Sequence, residues 1–144
     1  MINAAKALRV LGQPAPNSTA AAEKRATELV RRGMPATVIE RLAQTSGTSV
    51  GEVQRIIGVS RATGTRRRAG NEPLRRDASD RAFRMASAYA LAADVFEDSE
   101  KAREWFKEPN RALRGERPLD LLDTDLGTQL VLRLLNRIEF GTYS

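Results

Sequence analysis

The sequence predicts an all-α fold made of small helical parts, and three observations carry that prediction. Apolar residues recur at intervals of three and four, which places them on one face of a helix. Ser, Thr, Asn and Asp precede these segments, and Gly or Pro follows them, as at helix ends. A length of 144 residues suits one domain or two small ones. We expect an N-terminal arm at 1–17, a helix–turn–helix domain at 18–78 and a second helical domain at 79–144.

The composition excludes several kinds of function. The chain contains no Cys and no His, which rules out disulfides, Cys-based metal sites and His-dependent catalytic triads. No apolar run has the length of a membrane span, and Met1–Gly12 lacks the apolar core of a signal peptide. The acidic cluster at 97–104 is typical of a loop and a helix first turn. We therefore expect a cytoplasmic protein with no catalytic residues, metal, cofactor or membrane partner.

Cap and stop residues set the predicted segments of the N-terminal half. Met1–Gly12 is weakly amphipathic and Gln13–Pro16 interrupts it, so we expect an arm that is disordered or packed on a partner. Two helices follow: one is capped by Asn17 or Ser18 and ended by Gly33, and the other is opened by Pro35 and ended by Gly47.

Residues 49–70 have the spacing of a helix–turn–helix. Ser49 caps a short helix, Gly58 makes the turn, Val59 fills the core and Ser60 caps a second helix. In this motif the N-terminal residues of the second helix enter a DNA major groove. We expect a DNA-binding surface in which three residues lie near phosphates or bases: Ser60, Arg61 and Thr63. Four more are expected along or just beyond the exposed face of the helix: Thr65, Arg66, Arg67 and Arg68.

Positive charge is concentrated around this motif. Of the 24 basic residues 20 are Arg, and residues 55–84 carry nine Arg and three acids. The guanidinium fork matches phosphate oxygens and guanine edges. The pattern favours a nucleic-acid partner, and a solvated charged surface is the alternative.

The C-terminal half begins with a long predicted helix. Ser79 is its expected cap, and the helix runs from Asp80 to Phe96. Its residues are apolar nearly all round, which predicts burial between other elements. We interpret it as a spine that joins the two halves, and its Ala-rich faces suit either a monomeric core or a dimer seam.

Residues 102–144 contain the only Trp and a dense series of turn signals. They predict a helix capped by Ser99 and stopped at Pro109, a single turn closed by Gly115, and a helix opened by Pro118. A last helix follows, capped by Asp123 or Thr124 and ended by Gly141. Its expected apolar stripe comprises Leu126, Leu130, Leu134 and Ile138, widened by Val131 and Leu135.

This series of residues resembles the C-terminal domain of the Xre/MbcA/ParS antitoxins, which are the partners of RES-domain toxins. The matching residues are Trp105, Pro109, Asn110, Ala112, Leu113, Gly115, Pro118, Leu121, Leu122, Thr124, Gly127, Val131, Leu135, Arg137, Ile138, Glu139 and Gly141. The resemblance implies a non-enzymatic type II antitoxin with an Xre-like helix–turn–helix. Its implied partners are a cognate RES toxin that uses NAD, its own operator DNA and a second copy of itself.

Two positions differ from the usual pattern of Xre-type helix–turn–helix domains. Gln54 stands where a small residue is typical, and Gly64 stands where an apolar residue anchors the recognition helix. Gly costs about 1 kcal/mol relative to Ala in a helix and supplies no side chain for packing. We therefore expect a recognition helix that is short, mobile or ordered only on DNA.

The resemblance also implies how the toxin is inhibited. In the family the C-terminal end lies over the NAD pocket of the toxin, so Tyr143 would fill space meant for a nucleotide ring. The Ser144 carboxylate would meet a basic group meant for phosphate. The implied toxin-binding residues are Trp105, Asn110, Arg111, Arg137, Phe140, Gly141, Thr142, Tyr143 and Ser144. Without the resemblance, the residues of the tail favour a frayed terminus. The alternative functions for the whole protein are a stand-alone helix–turn–helix regulator and an oligomeric scaffold.

Overall fold

The fold is all-α over the part of the chain that the structure describes, residues 2–139 and 141 of a computed structural model. This confirms the predicted fold class. The α-helices are α1 (Ala4–Val10), α2 (Thr19–Arg32), α3 (Val38–Ser46), α4 (Val50–Ile57), α5 (Arg61–Ala69), α6 (Arg76–Phe96), α7 (Ser99–Lys107) and α8 (Asp125–Glu139). Two 3-10 segments, Arg111–Leu113 and Pro118–Asp123, lie between α7 and α8.

Side-chain caps fix the start of several helices where the sequence predicts them. The hydroxyl oxygens of Ser18, Ser49 and Ser60 each accept a hydrogen bond of 3.1 Å from a first-turn N–H. Thr124 does the same for α8 at 2.9 Å. These bonds satisfy N–H groups that have no partner inside the helix.

The predicted N-terminal arm is wrong. Residues 4–10 form helix α1, and the side chain of Asn3 caps it by accepting from the Lys6 N–H. Four apolar residues at spacings of three, one and three form one buried stripe: Ala4, Ala7, Leu8 and Leu11. This stripe packs on α6, α2 and α3, so residues 4–11 belong to the core of the chain.

Two predicted caps are also wrong. Helix α6 starts at Arg76, one turn earlier than expected, and Ser79 lies buried inside it. The hydroxyl of Ser79 accepts from the Met34 N–H at 2.9 Å and thereby joins α6 to the segment after α2. At α7 the cap is Asp98, because its carboxylate accepts from two first-turn N–H groups that a hydroxyl at Ser99 does not reach.

Helix α6 is the central element, as predicted for the spine. It packs against α1, α2, α3, α4, α7, α8 and the 3-10 helix Pro118–Asp123. Its Ala-rich faces are buried by these elements, so in this structure they serve the core of one chain. The boundary predicted between residues 78 and 79 lies inside α6, and the buried residues on both sides of it form one core. None of the described helices is long and apolar enough to cross a membrane.

Helix α8 presents a different face to the core than the sequence indicates. Leu126 is 69% exposed and Leu130 is 39% exposed, whereas Val131, Leu134 and Leu135 are buried. Gly127 explains the rotation, since a Cβ there would lie 2.0 Å from the Leu121 carbonyl oxygen. The missing side chain lets α8 approach the 3-10 helix closely along the Gly127 face.

We predict that Gly127→Ala destabilises the protein by about 1–3 kcal/mol, because the added methyl group forces α8 away from the Leu121 carbonyl. Helix propensity alone would make the Ala variant more stable by about 1 kcal/mol. A loss of stability would therefore come from the close approach of α8 to the Leu121 carbonyl. Denaturant unfolding measures the difference. Gln129→Ala, on the exposed side of the same helix, is the control, and an unchanged midpoint for Gly127→Ala would contradict this packing.

Candidate functional site

The first candidate surface is the helix–turn–helix formed by α4 and α5. The Ser60 hydroxyl caps α5 and donates to the Thr63 hydroxyl oxygen at 2.8 Å, while the Thr65 hydroxyl donates to the Arg61 carbonyl at 2.9 Å. Arg61 and Arg66 are exposed and form no ion pair within the described residues. The surface therefore offers two guanidinium groups without an ion pair among the described residues, Arg61 in the first turn of α5 and Arg66 in its last turn. The helix dipole also favours an anion at the capped N-terminus, beside Arg61.

Arg67 and Arg68 lie elsewhere than the sequence predicts. We expected both along or beyond the exposed face, but their side chains are only 22% and 25% exposed. Arg67 donates to the Pro73 carbonyl at 2.6 Å, and Arg68 donates to the Glu40 carboxylate at 2.9 Å. These two residues fasten α5 to the body of the protein.

Gln54 and Gly64, the two unusual positions of the motif, contact each other. Gln54 on α4 is 3% exposed, and a Cβ at Gly64 would lie 2.0 Å from its side-chain nitrogen. The Gln54 amide thus occupies the space of the expected apolar anchor. Within the described residues this nitrogen has no hydrogen-bond acceptor, although it is buried. With this contact in place, α5 extends over nine residues, whereas the absence of an apolar anchor predicts a shorter helix.

A network of four charged side chains joins α4 to the 3-10 helix Pro118–Asp123. Arg117 binds both oxygens of Asp120 at 2.9 Å, and Arg55 bridges Asp120 at 2.9 Å and Glu52 at 3.1 Å. The hydrogen bonds from Arg117 are the main cause that lowers the pKa of Asp120. Bonding to Glu52 raises the pKa of Arg55 in turn. The sequence shows the Arg117–Asp120 spacing, but nothing in it predicts the link across 65 residues to Arg55.

The second candidate surface surrounds Trp105. Its half-buried ring lies edge-on to Phe106, with centroids 5.1 Å apart, and is tilted against Phe96 at 5.8 Å. Phe106 is fully buried and stacks on Tyr89 at 4.0 Å. Trp105 is therefore fixed in orientation while part of its ring faces solvent.

The other residues implied in toxin binding are distributed over the same half of the chain. The Asn110 side chain accepts from the Ala112 N–H at 2.9 Å and so stabilises the turn after α7. Arg111 and Arg137 are exposed. Gly141 has φ +69° and donates to the Ile138 carbonyl at 3.1 Å, which ends α8. The rest of the implied set, Phe140, Thr142, Tyr143 and Ser144, lies outside the described residues.

Two protein families match the chain in consecutive stretches. The antitoxin Xre-like helix–turn–helix domain matches residues 25–87, and the antitoxin Xre/MbcA/ParS C-terminal toxin-binding domain matches residues 91–141. These matches define the class as helix–turn–helix antitoxins.

Individual relatives agree with this class. "Antitoxin Xre" of Photorhabdus laumondii is 32% identical over 81% of this chain and 79% of its own length. "Prs ADP-ribosylating antitoxin" of Sphingobium sp. is 26% identical over 81% of this chain and 79% of its own length. A chain of the crystal structure of the M. tuberculosis MbcT–MbcA toxin–antitoxin complex is 27% identical, with a TM-score of 0.57 over 76% of this chain and 96% of that one. The protein belongs to the Xre/MbcA/ParS antitoxin family.

We predict that Gly64→Ala destabilises α5, since the added Cβ collides with the Gln54 amide. The double variant Gln54→Ala/Gly64→Ala should regain most of the loss, because the smaller side chain on α4 gives the methyl group room. Hydrogen exchange of the α5 amides and thermal unfolding measure both effects. Thr65→Ala is the exposed control, and a Gly64→Ala variant as protected as the wild type would contradict the contact.

We predict that Asp120→Asn lowers the free energy of unfolding by about 0.5–1 kcal/mol at neutral pH, a small value because these side chains are partly exposed. The folded-state pKa of Asp120 is lowered, so its contribution is present above the unfolded-state pKa and is lost as pH falls through the folded-state value. The difference between variant and wild type should therefore shrink below about pH 4. Thermal unfolding against pH tests this, with exposed Asp123→Asn as the control; a difference that is constant with pH would contradict it.

Proposed function

We propose that this protein is the antitoxin of a type II toxin–antitoxin system and neutralises a RES-domain toxin that uses NAD. The observation that carries the proposal is the match of residues 91–141 to the family's toxin-binding domain. The related MbcA forms a complex with the toxin MbcT. The Sphingobium relative is named "Prs ADP-ribosylating antitoxin", and ADP-ribosylation is a reaction that consumes NAD.

In the proposed mechanism the C-terminal tail enters the NAD pocket of the toxin. Gly141 has the left-handed conformation that is common just after the last turn of a helix, and the proposed plug begins there. The Tyr143 ring would take the place of a nucleotide ring. A pocket filled in this way has no room for NAD, so inhibition follows from the affinity of the complex.

Trp105, Asn110, Arg111 and Arg137 would form the contact surface outside the pocket in this mechanism. The Trp105 ring is held by two other aromatic rings, which limits the entropy lost when a toxin covers it. Arg111 and Arg137 are exposed and supply charge for steering and for polar contacts at the rim.

We predict that truncation after Glu139 abolishes protection against the adjacent RES toxin. The experiment co-expresses the toxin with the full chain or the truncated chain and measures cellular NAD and growth. Tyr143→Ala should weaken protection, because it removes the ring proposed to fill the pocket. Glu139→Ala, at the exposed end of α8, is the control that should protect fully.

The outcomes of this experiment separate the parts of the proposal. If the truncated chain still binds the toxin and protects as well as the full chain, the tail is not the inhibitor, and the Trp105 surface carries the neutralisation. If neither chain binds or protects, the proposed toxin pairing is wrong.

We further propose that the protein represses its own operon by binding operator DNA as a dimer. Arg61 and Arg66 are the exposed, unpaired cations of α5 within the described part of the chain, and Ser60, Thr63 and Thr65 lie beside them. Two copies would read half-sites about one helical turn apart. A stand-alone helix–turn–helix regulator is the second candidate, because this basic surface needs no toxin for its assembly; a neighbouring gene for a RES toxin favours the antitoxin.

We predict that Arg61→Ala and Arg66→Ala each weaken binding to the upstream DNA by about 1–3 kcal/mol and reduce its salt dependence. Arg114→Ala removes the same charge from an exposed position after α7 and is the matched control. Fluorescence anisotropy at several salt concentrations measures the affinities. Equal loss in all three variants would indicate a general charge effect and contradict a specific surface on α5.

A further inference from the structure

One face of α2 lines an open cleft that none of the surfaces described above uses. The cleft has a volume of about 1040 Å³ and lies between α2 and the N-terminal part of α6. From α2 it is lined by residues at spacings of three, one, three and one, which form a single helical stripe. The stripe comprises Glu23, Ala26, Thr27, Val30 and Arg31.

The stripe has opposite charges at its two ends and small or apolar residues between them. Glu23 and Arg31 are eight residues apart, which corresponds to about 12 Å along the helix. Neither forms an ion pair within the described residues, and the same is true of Arg76 on the opposite wall. Phe83 and Ile2 add apolar surface, and Ile2 is 43% exposed.

This order of charges is complementary to itself under a two-fold rotation. If a second α2 lies antiparallel on the first, with the axis near Thr27, Glu23 of each copy meets Arg31 of the other. An isologous interface requires such self-complementarity, since the same patch occurs on both sides. Exposed Thr27 and half-buried Val30 would then be covered by the second copy, whereas Ala26 is already buried within one chain.

We propose that the α2 face and its cleft are the self-association surface of this protein, with a second copy of the chain as the occupant. The inference rests on the dimer of the proposed function and locates its interface. The cleft wall carries three Arg and three acidic residues, so a polyanion or an anionic membrane would meet carboxylates across it. A second copy of the chain places an opposite charge against each end of the stripe.

The position of the cleft agrees with DNA binding by a dimer. Arg75 and Asp77 line this cleft and also a smaller pocket that contains Ser60 and Thr63 at the start of α5. Pairing across the cleft therefore brings the two recognition helices near the interface, as two adjacent half-sites require. It also leaves the Trp105 surface, Leu126 and Leu130 uncovered for other contacts, because none of them lines the cleft.

Sedimentation equilibrium on complementary charge variants of the full chain tests the proposal. Glu23→Arg and Arg31→Glu should each place like charges at both ends of the interface and weaken the dimer at least tenfold. An equimolar mixture of the two variants should restore a heterodimer of wild-type affinity, because each reversed position then meets an opposite charge. Glu28→Arg and Arg32→Glu make the same charge changes at exposed α2 positions outside the cleft and should leave the wild-type constant unchanged.

Restoration in the mixture also shows that both variants fold. Variants that dimerise like the wild type, or a mixture that stays monomeric, would overturn the location of the interface. If Leu126→Ser/Leu130→Ser dissociates the dimer while both charge variants do not, the interface lies on α8 instead. A wild-type chain that stays monomeric over a 100-fold range of concentration would overturn the dimer itself. The NAD and growth assay with the co-expressed toxin would show separately whether neutralisation survives.

Discussion

The structure depends on the burial of α6 on nearly every side. Its contact positions are largely Ala, and small side chains let the axes of neighbouring helices come close. Packing against seven other elements leaves α6 no long stretch in contact with water. The N-terminal helices and the C-terminal helices therefore complete the same core, although two separate protein families match the two halves.

The basic surface proposed for DNA binding lies at the edge of this core. Helix α5 has Gly64 as its buried residue, next to the Gln54 amide, and is fastened by hydrogen bonds from Arg67 and Arg68. The contacts of α5 are few and partly exposed, so local opening should cost less free energy there than at α6. The network of Arg55 and Arg117 with Asp120 sets the position of α4 against the 3-10 helix. If a bound partner displaced α4 or the 3-10 helix, the other element would shift with it, because the two are joined by these side chains.

Caps and glycine stops made most helix bounds predictable from the sequence. Ser18, Ser49, Ser60 and Thr124 act locally, within three residues of themselves, so the sequence contains the whole signal. Helix α1 was less predictable because it is short, has a single apolar stripe and depends on packing against α6 for its stability. Ser79 lies inside α6 and accepts from the Met34 N–H instead of capping the helix, a contact between residues 45 positions apart that the local sequence does not contain.

The candidate sites show the same division between local and distant signals. The sequence predicts the basic helix and the turn before it. It does not reveal that Arg67 donates to the Pro73 carbonyl and that Arg68 donates to the Glu40 carboxylate. Gln54 and Gly64 each read as a defect when considered alone, and only their contact in space explains both. The core face of α8 was ambiguous because two apolar stripes run side by side, and the close approach at Gly127 decides between them.

Hydrogen exchange of the full chain, resolved by residue, tests most directly whether the two family domains form one cooperative unit around α6. A single core predicts that the most protected amides of α6, on both sides of residues 78 and 79, exchange with one common free energy of opening, equal to that of global unfolding. Exchange of α5 at lower free energy is compatible with this account. Two separate values, with the N-terminal part of α6 opening together with α2–α4 and the C-terminal part together with α7 and α8, would contradict it.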